Sequence, residues 1–148
     1  MSQPANARKK PEPAPAPMPE FNRLNLLSVG MVVALFTTRA QYKTAMHEIG
    51  IREENWHAWP DPGCAWVYTY VDGERARGKH VVVCMGDTAG LDGIDIASVL
   101  CHEAVHVWQA YCSHISERYP ADEQSAYAIQ AISEFLMREF VRLNRLGS

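Results

Sequence analysis

Residues 99–108 form an H-E-x-x-H sequence inside an apolar segment, Val99-Leu100-Cys101-His102-Glu103-Ala104-Val105-His106-Val107-Trp108. Two histidines four residues apart leave the same face of a helix, one turn from each other. At this spacing two imidazoles can bind one Zn²⁺ ion. Glu103 lies about 100° round the helix from His102, where it can reach a water at the metal without binding the metal. The pattern predicts a zinc-binding helix with His102 and His106 as ligands and Glu103 as the catalytic carboxylate.

The alternative is a core helix that happens to carry two histidines. A single histidine on an apolar helix face is more often a satisfied core residue than a ligand. A pair at i and i+4 is a rarer combination when Glu follows the first histidine and only the short, uncharged Ala104 and Val105 stand between. We therefore favour the metal site.

Length and composition limit the other possibilities. The chain has 148 residues, 47% of them hydrophobic, and a formal net charge of −3, which suits one globular domain. No basic patch is evident, so we expect no nucleic-acid partner. No apolar run reaches the roughly 18 residues that a membrane span needs, so we expect no membrane partner.

Cysteine usage and the N-terminus indicate a compartment. The four cysteines, at positions 64, 84, 101 and 112, include no C-x-x-C pair. The N-terminus is polar and rich in proline where a signal peptide would be apolar. Free thiols in a reducing environment are the simplest interpretation. We expect a cytoplasmic protein of a bacterial host cell.

Residues 1–20 contain six of the nine prolines, mostly alternating with alanine or glutamate. Such a segment favours an extended polyproline II conformation over helix or strand. We predict a disordered tail over 1–20 and a zincin-like metallopeptidase domain over 21–148. The tail is either simply solvated or a docking arm for a protein partner.

The rest of the chain predicts an α+β fold. A small antiparallel or mixed sheet should pack on the active-site helix and on a C-terminal helix. β-branched and aromatic runs predict strands, Gly50 ends the first helix, and Asp95 is the expected N-cap of the active-site helix. The predicted elements are a strand at Met31–Phe36, a helix at 39–49 capped by Thr37 or Thr38, an antiparallel hairpin of 64–71 with Lys79–Met85, and helices at 96–115 and 122–144.

A catalytic zinc site normally has a third protein ligand. His80, placed on an edge strand, is a weak candidate, because such a histidine is usually structural. His114 lies two helical turns beyond His106, more than about 10 Å away along the axis. Four downstream carboxylates remain as candidates, those of Glu117, Asp122, Glu123 and Glu134.

Glu123 is the favoured third ligand. It begins the next helix, and Ala126 one turn later would let the two helices approach closely. Tyr127 would then face the metal side and could donate to the developing oxyanion, with His80 as a less favoured donor. Two alternatives stay open: Glu123 could simply stabilise the helix N-terminus, and Tyr127 could be an ordinary interface aromatic.

Two families with related motifs do not fit. A metzincin would have Gly and His where this chain has Gln109 and Cys112. A protease of the SprT-like group would need a His-Gly downstream, and no histidine follows His114.

The combination of His102-Glu103-Ala104-Val105-His106 with Glu123-Gln-Ser-Ala126 resembles a gluzincin site. Over about residues 79–135 the chain is similar to small zinc metallopeptidase-like proteins of bacteriophages and prophages, and more distantly to the ImmA/IrrE type. The resemblance implies zinc ligands His102, His106 and Glu123, a catalytic Glu103, and a strand, matched by Lys79–Met85, that pairs with an extended substrate. Thermolysin-like enzymes have Asp where Tyr127 stands, so the group that orients the first histidine lies elsewhere or is this tyrosine.

We therefore expect a zinc-dependent metallopeptidase that hydrolyses a peptide bond of a peptide or protein substrate, with a zinc-activated water and Glu103 as general base. One alternative is a non-catalytic zinc-containing binding or structural protein, for example one of a phage, that uses its proline-rich tail to dock a partner. A regulatory protease with a single protein target, as the ImmA likeness suggests, is a further alternative.

Overall fold

A computed structural model describes residues 17–24 and 30–145 and has an α+β fold. A small mixed sheet of three strands packs between helices on its two faces. In chain order the elements are β1 (Met31–Phe36), α1 (Arg39–Ile49), a 3₁₀ turn (Glu53–Asn55), β2 (Ala65–Val71), β3 (Lys79–Met85), α2 (Gly93–His114) and α3 (Asp122–Arg145). The predicted fold class is confirmed, and each predicted element lies within a few residues of its expected position.

The strand order is β1-β3-β2, with β3 parallel to β1 and antiparallel to β2. The predicted hairpin is therefore confirmed. The prediction that β3 pairs with substrate is wrong, because β3 is central and both of its edges are occupied. β2 is the edge strand on the side of α2. The placement of His80 on an edge strand is wrong for the same reason.

Two hydrophobic layers hold the sheet. Alternate residues of β3 point to opposite faces, as the pleat requires, so Val82 and Cys84 pack towards α1 while Val81 and Val83 pack towards α2 and α3. All four are fully buried. Burying a side chain of this size contributes about 1.5–3 kcal/mol to stability. The sheet thereby fixes α2 by the apolar face that bears Leu100.

Helix α2 begins three residues earlier than predicted. Asp92 is the N-cap, and its carboxylate accepts hydrogen bonds from the N–H groups of Ile94 and Asp95. Asp95, the predicted cap, occupies the third helical position, and its carboxylate accepts from the Asp92 N–H. Together they form a capping box, which fixes the start of the helix that carries the histidines.

Helix α3 packs against the core beside α2, but the predicted close approach of the two helices at Ala126 does not occur. Its buried residues are Ala128, Ile132, Ser133, Leu136 and Leu143. Ala126, which we expected at the close approach of the two helices, is exposed. Glu123 and Tyr127, which lie close to Ala126 in sequence, are exposed as well.

The described end of the proline-rich segment lies against the domain. The carbonyl oxygen of Pro17 accepts from Gln41 of α1, and that of Met18 accepts from Arg142 of α3. Asn22 then forms an antiparallel bridge with Val33. The rest of the predicted tail, 1–16, lies outside the described residues. None of the helices over 17–24 and 30–145 is long and apolar enough to cross a membrane.

His80 on β3 is buried on the α1 side of the sheet. It is 5% exposed, its ring packs edge-on against Phe21 at 5.1 Å, and its Nδ1 has no hydrogen-bond partner among the described residues. Burial lowers the pKa of His80, although a hydrogen bond with the backbone of Gly78 and the charge of Asp72 oppose this. The folded protein therefore keeps a neutral imidazole over a pH range in which the unfolded chain protonates it.

This burial should make the protein less stable in mild acid. Because the unfolded state binds the proton first as pH falls through about 6.5, the free energy of unfolding should drop between pH 7 and pH 5, by up to about 2 kcal/mol from this group. Urea unfolding of His80→Leu at the two pH values should show a smaller drop than wild type. His47→Leu, at an exposed histidine, is the control. An equal drop in wild type and His80→Leu would contradict this account.

Candidate active site

The edge strand β2 and helix α2 enclose a cavity of about 850 Å³. The strand contributes one wall and the middle of the helix contributes the other. The lining residues are Gly63 to Thr69 on the strand side, with Ser98, Val99, His102, Glu103, His106 and Ala110 on the helix side. His102, Glu103 and His106, the three residues that the H-E-x-x-H pattern specifies, therefore line the same cavity.

The two histidines face each other across one turn of α2. Their Nε2 atoms lie 3.1 Å apart, and the ring centroids lie 4.8 Å apart. Two nitrogens that each lie about 2.0–2.1 Å from one tetrahedral zinc ion are roughly 3.3 Å apart. The pair therefore fits two ligand positions of one ion with little movement, and both side chains are accessible to it.

Gln109 orients the second histidine. Its Oε1 lies 3.0 Å from Nδ1 of His106. A carbonyl oxygen can only accept, so in this arrangement Nδ1 carries the proton and Nε2 carries the lone pair. The lone pair then lies on the nitrogen that faces His102. Sequence reasoning used Gln109 only to exclude a family, although its i+3 spacing from His106 was a usable signal.

Glu103 is the buried member of the motif, with 4% of its surface exposed. Burial raises the pKa of its carboxyl group, while His102 and His106 act in the opposite direction. A carboxylate with a raised pKa is a better proton acceptor at neutral pH than an exposed one. The burial follows from the helix geometry, because Glu103 is turned from the histidines towards the sheet.

Within residues 17–24 and 30–145, no strand pairs with the outer edge of β2, which forms the wall opposite the histidines. Cys64 and Asp72, just outside the two ends of β2, both hydrogen-bond to the β3 side, to Gly86 and Gly78 respectively. Along one strand of an antiparallel pair, residues that hydrogen-bond to the partner strand alternate with residues whose N–H and C=O groups point away from that partner. The backbone groups of Ala65, Val67 and Thr69 therefore point to the open edge, where an extended chain could pair with them.

The structure does not bring Glu123 or Tyr127 to the cavity. Both are in the exposed first turns of α3, with Tyr127 64% exposed, and no α3 residue lines the cavity. The reason is the side of α2 on which α3 packs: Cys101 faces a groove lined by α3 residues, whereas His102 faces β2. Within 17–24 and 30–145, no group of three or more His, Cys, Asp or Glu side chains is arranged to hold a metal. The expectation that the last helix completes the site is thus not met in this structure.

The expected oxyanion donors are also absent from the cavity. Tyr127 is on α3, and His80 is on the opposite face of the sheet. Three residues with hydroxyl groups that sequence reasoning missed do line it: Tyr68, Thr69 and Ser98. Burial raises the pKa of Tyr68 to about 12, so its hydroxyl stays protonated, and it donates to the carbonyl oxygen of Ala58.

Fold and cavity together describe an α+β domain in which an H-E-x-x-H helix faces the open edge of a small mixed sheet. Comparison of the chain with family models, with curated proteins and with solved structures found no match.

Proposed function

We propose that this protein is a zinc-dependent metallopeptidase that hydrolyses a peptide bond in the cavity between β2 and α2. The observation that carries the proposal is the joint placement of an accessible histidine pair, a buried carboxylate and a free strand edge around one cavity. The resemblance of the motif to gluzincin sites supports the same function.

In this proposal His102 and His106 hold the zinc ion through their Nε2 atoms. Zinc bound there would polarise the scissile carbonyl and lower the pKa of a water towards 7. Glu103 accepts the proton of the attacking water and delivers it to the leaving amine. The apolar surroundings of Glu103 strengthen these electrostatic interactions, because they exclude water.

The free edge of β2 positions the substrate. An extended peptide that pairs with Ala65, Val67 and Thr69 lies across the cavity from the histidines. Main-chain hydrogen bonds of this kind supply affinity with little dependence on sequence. The strand that we expected for this role, β3, is replaced in the proposal by β2.

Glu123 remains our proposed third ligand. It lies in the exposed first turn of α3, so this role requires that turn to approach the histidines when metal binds. Zinc affinity of Glu123→Ala, compared with Asp122→Ala beside it, tests the assignment.

A test of the whole proposal is hydrolysis of a mixed peptide library by the zinc-loaded protein. We expect cleavage that stops on addition of a chelator and returns with zinc.

A non-catalytic zinc-binding protein is the second candidate, and the absence of α3 residues from the cavity favours it. That candidate predicts zinc near one per chain without cleavage of any library member. A regulatory protease predicts cleavage of one protein target and no library member.

Gln109 provides a prediction about the metal site itself. Gln109→Leu removes the acceptor for Nδ1 of His106 and should weaken zinc binding by about 10–100-fold, the usual effect of losing a group that orients a ligand. The side chain is exposed, so folding should be unaffected.

Competition with a zinc chelator would give the affinity, and nitrogen NMR of the metal-free protein would report the tautomer of His106. Gln124→Leu, an exposed glutamine on α3, is the matched control. Unchanged zinc affinity together with an unchanged tautomer in Gln109→Leu would show that Gln109 does not orient His106.

A further inference from the structure

An exposed aromatic row borders the cavity on the outer side of β2. It consists of Trp66, Tyr68 and His57, and we call it the aromatic ledge. Trp66 and Tyr68 meet edge to face with centroids 6.1 Å apart, and His57 stacks on Tyr68 at 4.2 Å with ring planes 4° apart. Trp66 is 41% exposed and ends the row at the cavity.

Two members of the ledge, Tyr68 and His57, are held in place by hydrogen bonds. The hydroxyl of Tyr68 donates to the carbonyl oxygen of Ala58 at 2.9 Å. The backbone N–H of His57 donates to the hydroxyls of Tyr42 and Tyr70, at 3.0 and 3.3 Å. A preorganised aromatic surface loses little conformational entropy when it binds a side chain.

The register of β2 relates the ledge to a bound peptide. Trp66 and Tyr68 alternate with Ala65, Val67 and Thr69, so their side chains leave the face of the strand that is turned away from α2. A peptide paired with the free edge also alternates. Every second side chain of the peptide then lies beside the ledge, while the others point towards α2 and the histidines.

Charge restricts which side chains suit the ledge. Among the described residues that line the cavity there is no lysine or arginine, and Glu103 is the only carboxylate. Glu103 is buried on the α2 side, away from the ledge. Where the ledge meets the cavity, the described lining therefore offers aromatic area without an exposed charge, which suits an uncharged aromatic side chain.

We infer that this site selects extended peptides that carry aromatic side chains at alternate positions, and that Trp66 determines this selectivity. The inference rests on the proposed function in one respect, that the ligand is a peptide. It does not require hydrolysis, because the ledge and the free strand edge are both independent of metal.

The test is binding of two five-residue peptides, blocked at both ends, to the full chain. One has the sequence Thr-Phe-Thr-Phe-Thr and the other Thr-Ala-Thr-Ala-Thr. We expect the phenylalanine peptide to bind at least about tenfold more tightly to wild type. Trp66→Thr, which keeps a strand-forming residue, should reduce this preference to less than about threefold. Val71→Thr, at a 65% exposed position of the same strand that does not line the cavity, should retain it.

Three results would overturn the inference: equal binding of the two peptides to wild type, a preference that survives in Trp66→Thr, or equal affinity for a backbone N-methylated phenylalanine peptide that cannot pair with β2. The measurements are made with and without zinc, and cleavage is followed separately. Selective binding without cleavage would support the inferred selectivity of the ledge and contradict the proposed peptidase activity. Cleavage without a preference for phenylalanine would support the peptidase activity and contradict the inferred selectivity.

Discussion

Replacing Glu103 by glutamine is expected to abolish peptide hydrolysis and to leave zinc binding unchanged. The amide keeps the shape of the side chain but cannot accept the proton of the attacking water. General-base catalysis contributes about 10²–10⁴-fold to rate, so the loss should be at least of this size. Because Glu103 is 4% exposed and burial already disfavours its charged form, the neutral amide should not destabilise the fold.

The measurement is the cleavage rate of any library peptide that wild type hydrolyses, with zinc content determined on the same samples. Glu48→Gln, at an exposed residue of α1, is the matched control and should retain full activity. Hydrolysis at the wild-type rate by Glu103→Gln would rule out the proposed mechanism.

Replacing either histidine by alanine is expected to abolish zinc binding and the stabilisation that zinc provides. A ligand at about 1,000 times its Kd stabilises the native state by about 4 kcal/mol. In a chain of this size that corresponds to a rise in Tm of roughly 8–16 °C on addition of zinc. His102→Ala and His106→Ala should lose this rise while keeping the Tm of the metal-free protein, because both side chains are exposed.

Thermal unfolding with and without zinc measures the effect. His57→Ala, at an exposed histidine outside the H-E-x-x-H motif, is the control and should keep the rise. A zinc-dependent rise that persists in both His102→Ala and His106→Ala would place the metal elsewhere. Glu123→Ala in the same assay decides the third ligand: loss of the rise supports Glu123, and its retention assigns the position to another group.

The local part of the fold was predictable because it depends on short-range signals. The helix that bears the motif, the Gly50 end of α1 and the hairpin of β2 with β3 each follow from residues close together in sequence. The histidine pair was predictable for the same reason, since helical spacing alone fixes the relation of His102 to His106.

The remainder depends on long-range packing. Nothing near β3 in sequence indicates that β1 returns to pair with its second edge, and this pairing makes β2 the free edge. The side of α2 on which α3 packs likewise depends on which residues of α3 contact the hydrophobic core. Ala128 and Ile132 do so while Ala126 is exposed, and Glu123 and Tyr127 do not reach the cavity. His80 was misplaced because an isolated strand pattern does not distinguish an edge strand from a central one.

The central claim, a zinc site at His102 and His106, is tested most directly by the zinc content of the purified protein after loading with zinc and removal of excess metal. The account predicts close to one zinc per chain in wild type and in Glu103→Gln, and far less in His102→Ala. Wild-type protein that retains no zinc after loading would contradict it, and α2 would then be a core helix that carries two exposed histidines.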